Sequence, residues 1–277
     1  MSPIWIIARK EIRDSLRNRW VLVASSLLAL FALSLGFLGS SPTGTVKVDP
    51  ITVTVVSLSS LSIYLLPLIA MLLSYDAVIG EIERGTMALM LSYPVTRWQI
   101  LVGKFTGHTA ILALSTTLGF GSAGVLLQLL HGGSFKLAVW MPFLLMIGTS
   151  VMLGASFLGL GYLISVRVKE RGTAAGLAIA VWLFFTVIFD LITLGVLVAD
   201  HKHRITERMV ETALLFNPAD IYRQVNLTGY ANTAMYSGMA GLSSQIGIGI
   251  PSLLAALAAW IVVPFLLAAW LFRSRQI

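Results

Sequence analysis

The sequence predicts an all-α integral membrane protein with six transmembrane helices per protomer, preceded by an amphipathic interfacial helix. Three observations carry that expectation. The 277-residue chain is 57% hydrophobic and only 11% charged, against about 25% charge in soluble domains. Its Lys, Arg, Asp and Glu are crowded between long apolar runs. Its positive charges favour one set of flanks, as they do on the cytoplasmic side of membranes. With no cysteine, a disulfide scaffold, Cys-ligated zinc, an iron–sulfur cluster and a thiol nucleophile are excluded. The net charge of +7 is not gathered over a polar face, which excludes nucleic acid as a partner.

Charged side chains are absent from 20–46, 50–75, 105–135, 137–166 and 224–272, and 172–199 holds Asp190 alone. About 20 apolar residues cross about 30 Å of hydrocarbon. Spans therefore follow near 21–39, 57–79, 105–130, 137–165, 173–199 and 251–272. The stretch 224–250 is rich in Gly, Ser, Asn, Thr and Tyr, so 230–250 reads as re-entrant or interfacial. Arg9, Lys10, Arg13, Arg17 and Arg19 flank the first span. Arg84, Arg97 and Lys104, then Arg167, Lys169 and Arg171, then Arg273 and Arg275 fall on the same side. The other side holds Lys47, Lys136, Lys202, Arg204, Arg208 and Arg223. Both termini are expected in the cytoplasm. The first apolar run is longer than a signal-peptide core and no Ala-x-Ala site follows, so it reads as an anchor.

Residues 4–20 place Trp5, Ala8, Ile12, Leu16 and Trp20 at helical spacing, with Arg9, Arg13 and Arg17 elsewhere. Such a basic helix with tryptophans lies at a headgroup boundary. It either anchors topology or frames a docking site. Between the second and third spans, Asp76, Glu81 and Glu83 cluster ahead of the apolar run Thr86–Leu91. That run is helix-competent, too short to cross a membrane, and broken by Pro94. Thr96 and Gln99 fit a capping box for the next helix. An apolar helix at this surface needs a partner or a lipid interface to cover it.

Here the sequence resembles a family, the membrane subunits of ABC-2-type transporters (type V exporter-like permeases). The resembling residues are Ala8-Arg9-Lys10-Glu11-Ile12-Arg13, Gly80-Glu81 with Glu83 and Gly85-Thr86, Leu91-Ser92-Tyr93-Pro94-Val95-Thr96-Arg97, Gly103-Lys104, and Asn217-Pro218 with Asp220, Tyr222 and Arg223. The likeness runs in order along the chain. It implies one permease domain over 1–277, with an elbow helix at 1–20, a coupling region at 80–99 and an outer gate region at 200–250. By resemblance, 81–91 is a coupling helix for a separate ABC ATPase, with Glu81, Glu83, Arg84, Thr86, Met87, Leu89 and Met90 as its contacts. Asn217, Pro218, Asp220, Tyr222 and Arg223 would form the outer gate or a partner contact. The implied partners are that ATPase, a periplasmic protein, a second copy of the chain and the bilayer. Within the family the chain is most similar to permeases that serve maturation of the copper centre of nitrous oxide reductase. The implied substrate is a sulfur species or copper.

The residues support this division of labour independently. A phosphate-binding loop needs Gly-x-x-x-x-Gly-Lys-Ser/Thr. Gly103-Lys104 is followed by Phe105 and has Trp98 where the first glycine belongs. No cofactor is therefore expected in this chain, and ATP and Mg²⁺ belong to the partner. Asp190 has Thr186 and Thr193 on its helical face. Exposing an acid to lipid costs roughly 3 kcal/mol or more, so these three are candidates for a translocation path, against a structural hydrogen-bonding role. His108, one turn inside the third span, reads as a packed histidine. His201, His203 and Met209 are weak candidates for a soft metal, and no spacing defines a site. The pairs Ser150/Gly154, Ala155/Gly159, Gly119/Ala123 and Ala255/Ala259 mark close helix contacts. The competing functional readings are a non-transporting scaffold or mechanotransmitter, and a secondary transporter.

Overall fold

A computed structural model describes residues 2–17, 20–39, 50–130, 137–199, 206–227 and 248–275. Among these residues every regular element is helical. In chain order they are α1 (Pro3–Arg17), α2 (Trp20–Gly39), α3 (Pro50–Ser74), α4 (Ile79–Glu83), α5 (Thr86–Leu91), α6 (Arg97–Leu130), α7 (Leu137–Arg167) and α8 (Arg171–Leu183). A π turn (Phe184–Ile188) then leads to α9 (Phe189–Ala199), α10 (Glu207–Leu214), α11 (Pro218–Leu227) and α12 (Ile250–Ser274). Five segments are long and apolar enough to cross a membrane: Leu58–Glu83, Arg97–Leu126, Trp140–Arg167, Arg171–Ala199 and Ile250–Ser274. The expected first span coincides with α2. Lys47, Lys136, Asp200, His201, Lys202, His203, Arg204 and the stretch 230–247 lie outside the described residues.

α7 is the centre of the bundle, packed against α12, α3 and α6. Small residues let it sit there. A Cβ on Gly154 would strike the Leu112 side chain, and one on Gly161 would strike Ser74. At Gly159 the Ile261 carbonyl would be 3.2 Å away. The main core gathers Leu28, Leu58, Leu66, Phe120, Met146 and Phe157 from four helices. The span Arg171–Ala199 is the opposite case: 11% of its most apolar 18-residue stretch is buried, against 67% of the corresponding stretch of Trp140–Arg167.

Several elements differ from the sequence reading. The expected single helix over 81–91 is two helices, because Gly85 takes a left-handed φ of 72° between them, a conformation that favours glycine. The fifth span is broken by the π turn. The face of α1 that packs on the protein is Ile4, Ile7, Ala8 and Glu11, whereas Trp5 and Leu16 point outward. The capping box is present as expected: Thr96 N–H donates to Gln99 Oε1 at 3.0 Å and Gln99 N–H to Thr96 Oγ1 at 3.3 Å.

Candidate functional site

Two polar clusters stand out, one at each end of the bundle. The first lies where α1, α4 and the start of α6 meet. Lys104 is 2% exposed, and a lone ammonium there would cost several kcal/mol. Its Nζ donates to Glu11 Oε1 of α1 at 2.8 Å and to Glu81 Oε1 of α4 at 3.0 Å. Lys10 adds longer contacts to Glu11 at 3.2 Å and Glu81 at 3.4 Å. Thr86 donates its hydroxyl to Glu81 Oε2. His108, one turn along α6, places Nε2 3.5 Å from Glu11 Oε2 and Nδ1 2.8 Å from the Tyr162 hydroxyl of α7. Burial opposes the charge of Glu11, but the His108 hydrogen bond and the Lys104 ammonium hold its carboxyl well below the usual range.

Two glycines make this approach possible. A Cβ on Gly103 would lie 2.8 Å from Ile7 Cβ and 2.9 Å from the Ile4 carbonyl. One on Gly107 would lie 2.8 Å from Glu11 Cβ and 3.0 Å from the Ala8 carbonyl. The backbones of α1 and α6 therefore touch on either side of Lys104, and its side chain emerges directly into the two carboxylates.

α4 has two further attachments. The N–H groups of Val78 and Ile79 donate to Ser165 Oγ of α7 at 3.0 and 3.1 Å. Glu83 Oε1 accepts the Arg171 N–H at the opening of α8 at 2.7 Å, where the helix dipole favours a carboxylate. The Arg171 guanidinium also pairs with Asp76 at 2.8 Å. α5 is pinned by Met87, fully buried in one apolar cluster with Ile100, Tyr162, Val166, Ala268 and Phe272. Arginines tie the remaining helix ends. Arg97 donates to the Phe272 carbonyl at 2.8 Å, and Arg275 donates to the Ser165 and Val168 carbonyls at 3.1 and 2.6 Å. One five-residue helix, α4, thus holds polar bonds to α1, α6, α7 and α8.

The expected ATPase-contact residues divide into two groups. Glu81 and Met87 are inside, and Met90 is half-buried against the same cluster as Met87. Glu83, Arg84, Thr86 and Leu89 are exposed. Leu89 and Tyr93 are 62% and 63% exposed, so they form the apolar part of the outward surface.

The second cluster joins residues that the sequence reading kept apart. Arg223 of α11 donates to Asp190 Oδ2 of α9 at 2.8 Å and to Asp220 Oδ1 at 2.6 Å. Asn217 caps α11, its Oδ1 accepting the Ala219 N–H at 3.0 Å, with Pro218 at the first helical position, where a missing N–H costs nothing. Asn217 Nδ2 donates to Asp220 Oδ2 and to the Phe185 carbonyl of the π turn, both at 2.9 Å. Burial pushes the Asp220 carboxyl up to about 7; Arg223 opposes the shift and the charge of Asp190 adds to it. Thr186 and Thr193 turn their hydroxyls back onto the Trp182 and Phe189 carbonyls at 2.8 and 2.9 Å. Tyr222 faces away, 2.9 Å from Ser150 Oγ, and Asn226 donates to Thr149 Oγ1 at 3.0 Å, fixing α11 to α7. Met209 is exposed on α10. Among the described residues there is no group of three or more His, Cys, Asp or Glu that could hold a metal.

The sequence reading treats Lys104 as a flank charge and His108 as packing, and it leaves Glu11, Tyr162, Ser165 and Arg171 without a site role. The signal for the first cluster was Gly103-x-x-x-Gly107 bracketing a lysine at the mouth of a span. The signal is weak alone, because it does not say which helix approaches.

A family model described as ABC-2 family transporter protein matches residues 5–277. The chain is 43% identical over 277 residues to a "Probable ABC transporter permease protein NosY" of Pseudomonas aeruginosa, covering 100% of both chains. It is 42% identical over 276 residues to a protein of the same name from Stutzerimonas stutzeri, covering 99% of each.

Proposed function

The chain belongs to the ABC-2 transporter family and is the permease subunit of an ABC transporter, and on that premise we propose that α4 and α5 form the element through which a separate ATPase drives it. The observation that carries this reading is the two-sidedness of that element. Its outer surface offers Leu89, Tyr93, Glu83 and Arg84, while its inner surface is bonded to α1, α6, α7 and α8. A partner that moves α4 moves the starts or ends of three spans together. ATP and Mg²⁺ bind in the partner, a NosF-like subunit, and this chain contributes no cofactor site.

Six spans then cross the bacterial inner membrane, α2 being the first, with both termini in the cytoplasm and α1 as an interfacial elbow. Two copies form the pore. The thinly buried fifth span faces the second copy and the path, so that Asp190, Thr186 and Thr193 lie beside the translocated species. Asn217, Pro218, Asp220, Tyr222 and Arg223 form the outer gate, where a NosD-like periplasmic protein docks. The cargo is a sulfur species or copper for maturation of nitrous oxide reductase, as the resemblance to NosY implies.

Co-purification with the ATPase tests the docking surface. Leu89→Asp combined with Tyr93→Ala changes exposed side chains only, so the chain folds and loses the ATPase. Undiminished complex formation overturns the assignment.

A further inference from the structure

We propose that Phe184–Ile188 is a register joint in the fifth span, and that Asn217 is the positioning residue that holds it where Asp190 meets Arg223. The joint stands on geometry alone. Its use in transport rests on the reading above.

A π turn is wider than an α turn, is rare, and leaves a main-chain carbonyl outside the regular ladder. Here two carbonyls around the turn are taken by side chains: Trp182 O by the Thr186 hydroxyl at 2.8 Å, and Phe185 O by Asn217 Nδ2 at 2.9 Å. The turn itself reads Phe-Phe-Thr-Val-Ile. It contains no proline or glycine that would force a break, so contacts from outside keep it open: the Phe185 ring meets Phe157 and Trp260 edge-on at 6.0 and 5.4 Å, and Asn217 supplies the hydrogen bond to the turn's main chain from outside its own helix.

Little packing resists a change of register. Before the turn, α8 buries only Ala174 and Ala178, and α9 buries no residue fully. Its half-buried residues are Phe189, Asp190, Thr193 and Leu197, and Val196 and Val198 on either side of Leu197 are 53% and 68% exposed. Relaxing the turn to α geometry rotates α9 by about 100° and shifts it by about 1.5 Å. That takes Asp190 off Arg223 and turns it toward the exposed side of the span. Arg223 is not stranded, because Asp220 Oδ1 stays 2.6 Å away on its own helix. Asp190 Oδ1 is already buried without a hydrogen-bond partner among the described residues, so the engaged state is not saturated either. Two carboxylates on one guanidinium, at a helix joint whose main chain is bonded by one outside amide, make a two-position device.

The test uses the natural absence of cysteine. Val196→Cys or Leu197→Cys is introduced alone in the full chain in lipid nanodiscs, and maleimide labelling rates are read. In the parent, position 196, 53% exposed, labels faster than the half-buried 197. Relaxation moves each residue of α9 to the place its successor held, so adding Asn217→Ala should speed labelling at 197 and slow it at 196, each by at least about fivefold, because burial controls access. Deleting Val187 in the Asn217→Ala background removes the extra residue of the turn and should restore the parental pattern, a rescue that a merely structural asparagine would not show. General loosening would instead speed both positions. Unchanged rates with Asn217→Ala, faster labelling at both positions, or failure of the deletion to restore the pattern each overturns the joint.

Discussion

Lys104→Met removes the cation at the centre of the first cluster. The two carboxylates left behind both lie within 3.0 Å of the vacated ammonium position and then face each other in a buried site. Breaking a buried ion pair by removing one partner costs about 3–5 kcal/mol, mostly from the uncompensated charge that remains. Lys10 softens this, but its side chain is 44% exposed and its contacts are longer, at 3.2 and 3.4 Å, so solvent screens it. The expected loss is therefore about 3 kcal/mol, at the lower end of that range. Replacing the whole cluster, Glu11→Gln with Lys104→Met and Glu81→Gln, leaves no stranded charge and should fall within about 1 kcal/mol of wild type. Equilibrium unfolding of the purified chain in mixed micelles, followed by tryptophan fluorescence, measures both. A loss below about 1 kcal/mol for Lys104→Met, or a triple variant as unstable as the single one, refutes the reasoning.

Gly107→Val puts a side chain onto Glu11 Cβ and the Ala8 carbonyl; overpacking of this kind costs about 1–3 kcal/mol, and limited trypsin digestion should then cut at Arg9 and Arg13 faster than in wild type. Glu83→Ala leaves the opening N–H of α8 without its carboxylate acceptor at a cost of about 0.5–2 kcal/mol, read as faster amide exchange at Arg171, with Glu83→Gln largely restoring protection. The lowered carboxyl of Glu11 contributes stability that is fully present above its ordinary pKa of about 4.5 and is lost as pH falls through the folded value. Glu11→Gln should therefore flatten the acid limb of the stability profile and leave the region above pH ~5 without a slope.

Much of the fold was legible because hydrocarbon thickness and charge placement are strong constraints. The absence of charge in 105–135 and 137–166 located α6 and α7, and Thr96 with Gln99 located the start of α6 to the residue. The break at Gly85 and the π turn were not legible. The first is a single positive φ in a sequence that also tolerates a continuous helix, and the second is held by Asn217 from 32 positions away. The same limit applied to the sites. Asp190 and Arg223 were each singled out, but the sequence assigned one to a path and the other to a gate, and only the fold places them 2.8 Å apart. Glu81 and Met87 were expected on the ATPase-contact surface, whereas both side chains are buried. Their burial was not readable, because α4 and α5 are only five and six residues long, too few to fix a face by periodicity.

On the function proposed above, ATP-driven motion enters through α4 and α5 and reaches the spans through the bonds around Lys104. The most direct measurement is ATP hydrolysis by the partner subunit in proteoliposomes carrying the triple variant Glu11→Gln, Lys104→Met and Glu81→Gln. This variant keeps the outward surface of Leu89 and Tyr93 and is expected to fold, so the complex should still form. It removes both hydrogen bonds that Lys104 donates, because methionine has no donor. Stimulation of hydrolysis by the permease should fall by at least about tenfold, equivalent to about 1.4 kcal/mol of lost coupling. An intact complex with wild-type stimulation would contradict the account.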